Sequence, residues 1–183
     1  MNEAELNILN GIQEHLQCDF LDTVMPIITR FGDEGIFWII VAVVLICIPK
    51  TRKAGLSMGL AMLAGWIVGN MFLKNAVARL RPYDVQEGVT LLIDRLSSYS
   101  FPSGHTLVSF EAATALTLHY RKWGIAALVL AVLVAFSRLY LFVHYPTDVL
   151  GGSILGIAIG VVASRLIDRL FIAIEKRKEE KQQ

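Results

Sequence analysis

The chain has 183 residues, a formal net charge of +1, 55% hydrophobic residues and only 18% charged residues. A soluble domain usually carries about 25% charged residues, so this composition excludes disordered, collagen-like and disulfide-scaffold proteins, and the small net charge gives no reason to expect nucleic acid as a partner. The charge deficit is concentrated, because Ala54–Leu73 contains no Asp, Glu, Lys or Arg. A helix of that length matches the ~30 Å hydrocarbon thickness of a bilayer. The sequence therefore predicts an integral membrane protein.

The first segment, residues 1–33, is less apolar than the rest of the chain. Its first half has apolar residues at helical spacing among polar ones, and a second apolar patch, Phe20–Ile28, is interrupted by Asp22 and Pro26. We predict one or two amphipathic helices that lie at the membrane interface or against the bundle. A poorly hydrophobic transmembrane span in this segment is the alternative.

Five later stretches are apolar enough to cross a membrane. They are Gly35–Pro49, Ala54–Leu73, Gly104–Leu118, Trp123–Val143 and Val149–Ser164. Several are shorter than ~20 residues, which predicts tilt or local thinning of the bilayer. The predicted fold is all-α, a polytopic membrane bundle of five helices, or six if the N-terminal segment also crosses. It forms a single domain with an amphipathic segment 1–33, a helical core 34–174 and a basic cytoplasmic tail 175–183.

Basic residues predict how this bundle is oriented. Three basic clusters, Lys50–Lys53, Arg121–Lys122 and Lys176–Lys181, follow alternate spans, so five spans put all of them on one side. The positive-inside rule makes that side cytoplasmic. The N-terminus, the loop Arg81–Ser103 and the short turn His144–Asp148 then lie on the extracytoplasmic face of the plasma membrane.

Placing an ionisable side chain in or near a bilayer costs free energy, so such residues need a reason to be there. Here they cluster at the predicted outer ends of three spans. These residues are Lys74, Arg79, Arg81, His105, Arg138, His144 and Asp148. Cations outnumber Asp148, the only acidic residue among them, so the natural ligand is multiply anionic. Ser103 precedes a helix start as a candidate N-cap, and the free N–H groups of such a helix end favour a phosphate.

The residue types also suggest a reaction. Arg81 and Arg138 can bind phosphate oxygens bidentately, while Lys74 acts as a point charge. His144, on a short exposed turn with Asp148 close by, suits a nucleophile or base, and His105 suits a general acid. This face has no group of carboxylates of the kind that holds Mg²⁺ or Ca²⁺. The pattern indicates phosphoryl chemistry without a metal or other cofactor.

Three motifs carry a family resemblance. Six residues separate Lys74 from Arg81-Pro82, and the run Pro102-Ser103-Gly104-His105 follows. Ser137-Arg138 then precedes His144 by five residues, and three more residues separate His144 from Asp148. Together they resemble the three-part signature of the type 2 phosphatidic acid phosphatase superfamily, which includes membrane lipid phosphatases and vanadium-dependent haloperoxidases. The resemblance implies an all-helical core around the motifs.

The resemblance also implies a role for each matched position. His144 resembles the nucleophile that forms a phosphohistidine, Asp148 the residue that holds its ring, and His105 the acid that protonates the leaving group. The implied phosphate-binding set is Lys74, Arg81, Ser103, Gly104 and Arg138. Three further positions, Arg79, Pro102 and Ser137, are auxiliary.

The predicted function is a metal-independent membrane phosphatase that hydrolyses a lipid phosphomonoester or diphosphate. Its predicted partners are the bilayer and a lipid phosphate such as phosphatidic acid, phosphatidylglycerol phosphate or undecaprenyl diphosphate. The alternatives are a lipid phosphotransferase of the same superfamily and a non-catalytic lipid-phosphate binder or transporter. Glu111, about 9 Å into the third span, has two interpretations: a buried hydrogen-bond partner, or indirect support of the site.

Overall fold

The computed structural model describes residues 3–181, and this part of the chain is helical without strands, which confirms the all-α prediction. The helices are α1 (Glu3–Leu16), α2 (Asp19–Thr29), α3 (Ile36–Cys47), α4 (Arg52–Gly65), α5 (Lys74–Val77), α6 (Pro82–Val85), α7 (Gly104–His119), α8 (Arg121–Tyr140) and α9 (Pro146–Glu180). A 3₁₀ turn, Arg30–Gly35, joins α2 to α3, and a π-helix, Trp66–Leu73, joins α4 to α5.

Within residues 3–181, three segments are long and apolar enough to cross a membrane: Arg52–Val85, Arg121–Tyr140 and Pro146–Glu180. Their lipid-facing character is visible in large apolar side chains that point outward, such as Trp123 and Ile154. The other two predicted spans correspond to α3, with 12 residues, and α7, with 16, or about 18 and 24 Å of helix. The five-span count therefore stays a prediction, whereas the structure shows packed helices of which three have the length and composition of membrane spans.

The three basic clusters lie at one end of the bundle. Tyr120, between α7 and α8, donates a hydrogen bond of 2.6 Å to the Lys50 carbonyl between α3 and α4. The Lys53 ammonium lies 5.0 Å from the ring of Phe171, near the end of α9. The α9 helix continues to Glu180, so most of the predicted tail is helical. The three sequence motifs lie at the opposite end.

The N-terminal helices lie across that opposite end. Asp22 and Thr29, near the two ends of α2, both contact the last turn of α8, where Tyr140 donates to Asp22 over 2.6 Å and Arg138 donates to Thr29. From α1, the Gln13 amide reaches the Tyr140 carbonyl over 2.5 Å. Contacts from both ends of α2 thus fall on the last turn of α8, at the end of the bundle that holds the motifs.

Glycines set the distance between α7 and α9. Gly152, Gly156 and Gly160 occur one turn apart in α9, and a methyl group on them would come within 2.9, 2.7 and 2.9 Å of successive carbonyl oxygens of the segment Ser103–Glu111. Small residues allow this close approach of helix backbones in lipid. The contact brings the first turn of α9 beside the first turn of α7, where the Ser103 N–H donates to the Asp148 carbonyl over 3.1 Å.

Candidate active site

The first motif follows the π-helix that ends at Leu73. A π turn inserts one extra residue into a helix and so changes which face the following residues present. Lys74 comes directly after it, and its ammonium lies 3.1 Å from the Ser98 hydroxyl. Arg81 is buried and donates to the carbonyls of Ser98 and Val143, both over 2.8 Å, and to the Ser98 hydroxyl over 3.2 Å. The loop before α7 therefore holds both cations through a residue, Ser98, that the motifs do not contain.

The second motif forms the start of α7. Ser103 occupies the N-cap position, but its hydroxyl accepts a hydrogen bond from Thr106 and does not cap the helix. Pro102 precedes it after a cis peptide bond. A Cβ on Gly104 would lie 3.2 Å from the Asn70 side-chain oxygen and 3.7 Å from the Lys74 ammonium. The absence of a side chain at position 104 thus lets the first turn of α7 come close to Lys74.

The third motif supplies an incompletely paired guanidinium. Arg138 is 1% exposed, and one of its terminal nitrogens donates to Thr29. Its Nε and Nη2 atoms have no hydrogen-bond partner among residues 3–181. Buried donors are nearly always paired, so these two N–H groups are suited to an anion. The Ser137 hydroxyl donates to the Val134 carbonyl of its own helix over 2.6 Å, so this side chain is engaged within α8.

His144 lies between the cations and an acid. Its Nε2 is 3.3 Å from Arg81, while its Nδ1 is 3.4 Å from the Ser100 hydroxyl and 3.5 Å from the Asp148 carboxylate. The prediction of an exposed turn is wrong, because His144 is only 1% exposed. Burial holds the pKa of His144 well below its ordinary value of 6.5. The ring is therefore neutral, with its Nε2 lone pair directed toward the cationic side.

Arg79 points to the other side of Asp148. Its guanidinium donates to the Asp148 carboxylate over 2.7 Å and to Glu5 of α1 over 2.5 Å. Both bonds are ion pairs, so this cation is already neutralised. Arg79 thus stands apart from Lys74, Arg81 and Arg138 and contacts the site through Asp148.

The second histidine also has a carboxylate partner. His105 Nε2 lies 2.8 Å from Asp33, which is 54% exposed in the 3₁₀ turn before α3. That hydrogen bond holds the pKa of Asp33 below its ordinary value. The expectation that Asp148 is the only acid on this face is therefore wrong, since Glu5 and Asp33 reach it from the N-terminal segment. Asp33 borders the predicted outer end of the first span, and that position is the signal for it in the sequence.

Two cavities meet at His105. One of about 710 Å³ runs from Lys74, Gly104 and His105 between α3, α4 and α7, and Glu111 lines it. The other, of about 500 Å³, is lined by Asp33, Arg138 and apolar residues of the loop before α7, Leu91, Leu92 and Ile93. The larger cavity is mostly apolar and begins at the cations, so it is shaped for a molecule with a charged head and an apolar body.

Glu111 is the ionisable group deepest in the larger cavity. Its side chain is buried against Gly65, where a Cβ would lie 1.5 Å from Oε1. That oxygen has no hydrogen-bond partner in the described part of the chain. Oε1 is thus buried without a partner, so no hydrogen bond within residues 3–181 supports the interpretation of Glu111 as a buried hydrogen-bond partner.

Comparison with known proteins identifies the family. The family model of the PAP2 superfamily matches residues 53–172, which contain all three motifs. The chain is 35% identical to an undecaprenyl-diphosphatase of Sulfolobus acidocaldarius over 74% of its length and 66% of that protein. It is 31% identical to the undecaprenyl-diphosphatase BcrC of Bacillus subtilis, over 93% of this chain and 86% of that one.

Solved structures agree with these sequence matches. A transmembrane PAP2-type phosphatidylglycerolphosphate phosphatase from Bacillus subtilis superposes with a TM-score of 0.74 at 30% identity, covering 91% of this chain and 86% of that one. LpxE of Aquifex aeolicus gives a TM-score of 0.73 at 25% identity, covering 88% and 95%. The resemblance predicted from three motifs is thereby confirmed: the chain belongs to the PAP2 superfamily, a family in which these relatives are phosphatases.

Proposed function

We propose that this protein is an integral membrane phosphatase that releases phosphate from a lipid phosphomonoester or diphosphate through a phosphohistidine intermediate. The observation that carries the proposal is the orientation of His144, whose Nε2 faces Arg81 while its Nδ1 faces Ser100 and Asp148. A nucleophile needs its attacking atom directed at the phosphate and its other nitrogen fixed by a partner.

The proposed reaction has two steps. His144 Nε2 attacks phosphorus, the bond to the leaving oxygen breaks, and His105 gives that oxygen its proton. Water then attacks the phosphohistidine, returns a proton to His105 and releases phosphate and neutral His144. Lys74, Arg81 and Arg138 stabilise the charge on the three equatorial oxygens in both transition states.

The substrate class follows from the larger cavity and from the relatives. An apolar cavity that begins at Lys74 and His105 suits a phosphate attached to a hydrocarbon chain. Relatives are named undecaprenyl-diphosphatase and phosphatidylglycerophosphatase B. Both names refer to enzymes that act on lipid phosphates. We therefore propose undecaprenyl diphosphate, phosphatidylglycerol phosphate and phosphatidic acid as the substrates to compare.

Phosphate release by the purified protein in detergent tests the reaction. We expect inorganic phosphate from at least one of the three lipids without an added acceptor, full activity in EDTA, and inhibition by vanadate, which resembles five-coordinate phosphorus. The matched control is His144→Asn. Release that requires a second lipid would indicate a phosphotransferase, binding without release a non-catalytic protein, and loss in EDTA restored by Mg²⁺ a metal-dependent enzyme.

The site is also proposed to face away from the cytoplasm, since the motifs lie opposite the three basic clusters. Both cysteines, Cys18 and Cys47, are exposed and must first be replaced by serine. A cysteine at exposed Thr90, in the loop before α7, should then react with an impermeant thiol reagent on intact cells, and one at exposed Lys50 should not. Reaction only at position 50 would reverse the orientation.

A further inference from the structure

Arg79 is held between two carboxylates behind the nucleophile. One terminal nitrogen donates to Asp148 and to the Thr147 hydroxyl, each over 2.7 Å, and the other donates to Glu5 over 2.5 Å. Its guanidinium also lies 3.8 Å above the Tyr145 ring. A planar, forked cation is the side chain that can serve two carboxylates in fixed geometry. The arrangement therefore requires an arginine at position 79, and its several fixed partners distinguish it from an ordinary surface ion pair.

Glu5 is buried although it belongs to an amphipathic helix. It is 5% exposed, and its Oε1 accepts the backbone N–H of Thr147 over 3.0 Å and the hydroxyl of Thr147 over 2.6 Å. Burial favours its neutral form, but the bonds from Thr147 and Arg79 outweigh burial and hold the pKa of Glu5 below its ordinary value. Glu5 is thus an anion that anchors α1 to the first turn of α9.

Asp148 links this ion-pair chain to the nucleophile. The carboxylate is 0% exposed, and its two oxygens have different partners. Oδ1 accepts from Arg79, while Oδ2 accepts from the Ser100 hydroxyl over 2.5 Å and the Tyr145 N–H over 2.9 Å. The Arg79 carbonyl in turn accepts from the Ser100 N–H over 2.8 Å. Arg79 therefore fixes both neighbours of His144 Nδ1, Asp148 by its side chain and Ser100 by its backbone.

We infer that Glu5 and Arg79 are positioning residues for the nucleophile, so that the N-terminal helix α1 is part of the catalytic apparatus. This inference rests on the proposed function. Arg79 alone would neutralise Asp148 and weaken its support of positive charge on His144. Glu5 shares the guanidinium and leaves more of the negative charge of Asp148 for the histidine ring. Glu5 lies outside the residues that match the family model, which begin at 53.

Glu5→Gln is the decisive variant, because it removes one charge and keeps the size of the side chain. We expect a fall in kcat of about tenfold, as for other residues that orient a catalytic ligand, with KM within twofold because the phosphate-binding cations are untouched. The charged groups around His144 are Arg81, Arg138 and Asp148. Loss of Glu5 makes their balance more positive, so the acid limb of the kcat profile should move to lower pH.

A double-mutant cycle shows whether Glu5 acts through Arg79. In an Arg79→Lys background, which keeps a charge beside Asp148 but cannot bridge two carboxylates, Glu5→Gln should cause less than a twofold further loss. Glu14→Gln, an exposed change on the same helix, is the matched control and should behave as the parent protein. Thermal melting in detergent checks that each variant is folded.

Two outcomes would overturn the inference: a kcat for Glu5→Gln within twofold of the parent protein, or a large loss with an unmoved acid limb, which would indicate only a structural role. Full additivity with Arg79→Lys would show that Glu5 acts by another route. Failure of the proposed function looks different, because the parent protein would then release no phosphate, or His144→Asn would be as active as the parent.

Discussion

The molecule contains two histidine–aspartate pairs at one end, and they differ in burial. In the pair His144–Asp148 both side chains are 2% exposed or less, and Ser100 and Arg79 hold the carboxylate. In the pair His105–Asp33 the carboxylate is 54% exposed, and the turn that carries it includes Glu34 in the left-handed region at φ 48°. One pair is locked into the bundle, and the other borders two cavities.

This difference matches two kinds of chemistry. A nucleophile needs one fixed orientation and one protonation state, which burial and several hydrogen bonds supply. A general acid must lose and regain a proton in every turnover, so it needs access to water. The proposed roles follow this division, with His144 as the nucleophile and His105 as the acid.

The largest effect is expected at the buried pair. His144→Asn removes the attacking nitrogen at nearly constant volume, which suits a buried position better than alanine, and should lower kcat by at least about 10³-fold. Phosphate release with each lipid measures it, with thermal melting as the control for folding. Activity above a few per cent of the parent would rule out a phosphohistidine at this position.

A smaller but still large effect is expected at the acid. His105→Asn should lower kcat by about 10²-fold, because general acid catalysis contributes roughly 10²–10⁴-fold. The loss should shrink with a substrate whose leaving group needs no proton, such as a nitrophenyl phosphate ester. An equal loss on both kinds of substrate would assign His105 to binding instead of proton transfer.

Asp33 should matter less than Asp148, because it is half exposed. Asp33→Asn should lower kcat/KM by about tenfold at neutral pH, the scale of a residue that orients a catalytic group. It should also move the basic limb of the pH profile to lower pH, since the carboxylate stabilises the protonated form of His105. Glu34→Gln, which removes one charge from the same turn, is the matched control. An unmoved basic limb would separate Asp33 from the acid.

The smallest effect concerns stability. The pKa of His144 is held well below 6.5 in the folded protein. Just below pH 6.5, this histidine therefore binds a proton in the unfolded chain but not in the folded protein. Stability should therefore fall as the pH drops below about 6.5, by up to ~1.4 kcal/mol per pH unit. His144→Asn should flatten this fall in the melting temperature, and His15→Asn, at an exposed position, should leave it unchanged. An equal slope in all three proteins would contradict the buried neutral ring.

The sequence predicts the site better than it predicts its supports. Motif residues such as Arg81, His105 and His144 can be recognised in the sequence because charged residues are rare near a bilayer. The structure brings them together at one end of the bundle. Glu5 and Asp33 are missed, since acidic residues in an amphipathic segment look like an ordinary solvated face. Only tertiary contacts distinguish Glu5, which is buried, from Glu14, which is exposed.

The fold shows the same division. Hydropathy predicts three long helices well, because a run of about twenty apolar residues is the length that a helix needs to cross a bilayer. It overestimates the first span, Gly35–Pro49, which is a helix of 12 residues, and it predicts the third, Gly104–Leu118, to within one residue of the observed helix. Both helices begin directly after residues outside helical geometry, Glu34 and Gly35 before α3 and Ser103 before α7, where the site has a turn and a helix start. Average hydrophobicity carries no information about such breaks.

The glycine contacts between α7 and α9 have a consequence for how sequences of this kind can diversify. Each of the three glycines meets a carbonyl oxygen one turn farther along α7, so the two helices can slip past each other only by a whole turn, ~5.4 Å. His105 and Asp148 stand in the first turns of these helices, and their separation is fixed from inside the hydrocarbon layer. Apart from Ser98 and Ser100, which contact residues of the site, the loop before α7 can therefore vary in sequence while the distance between His105 and Asp148 stays constant.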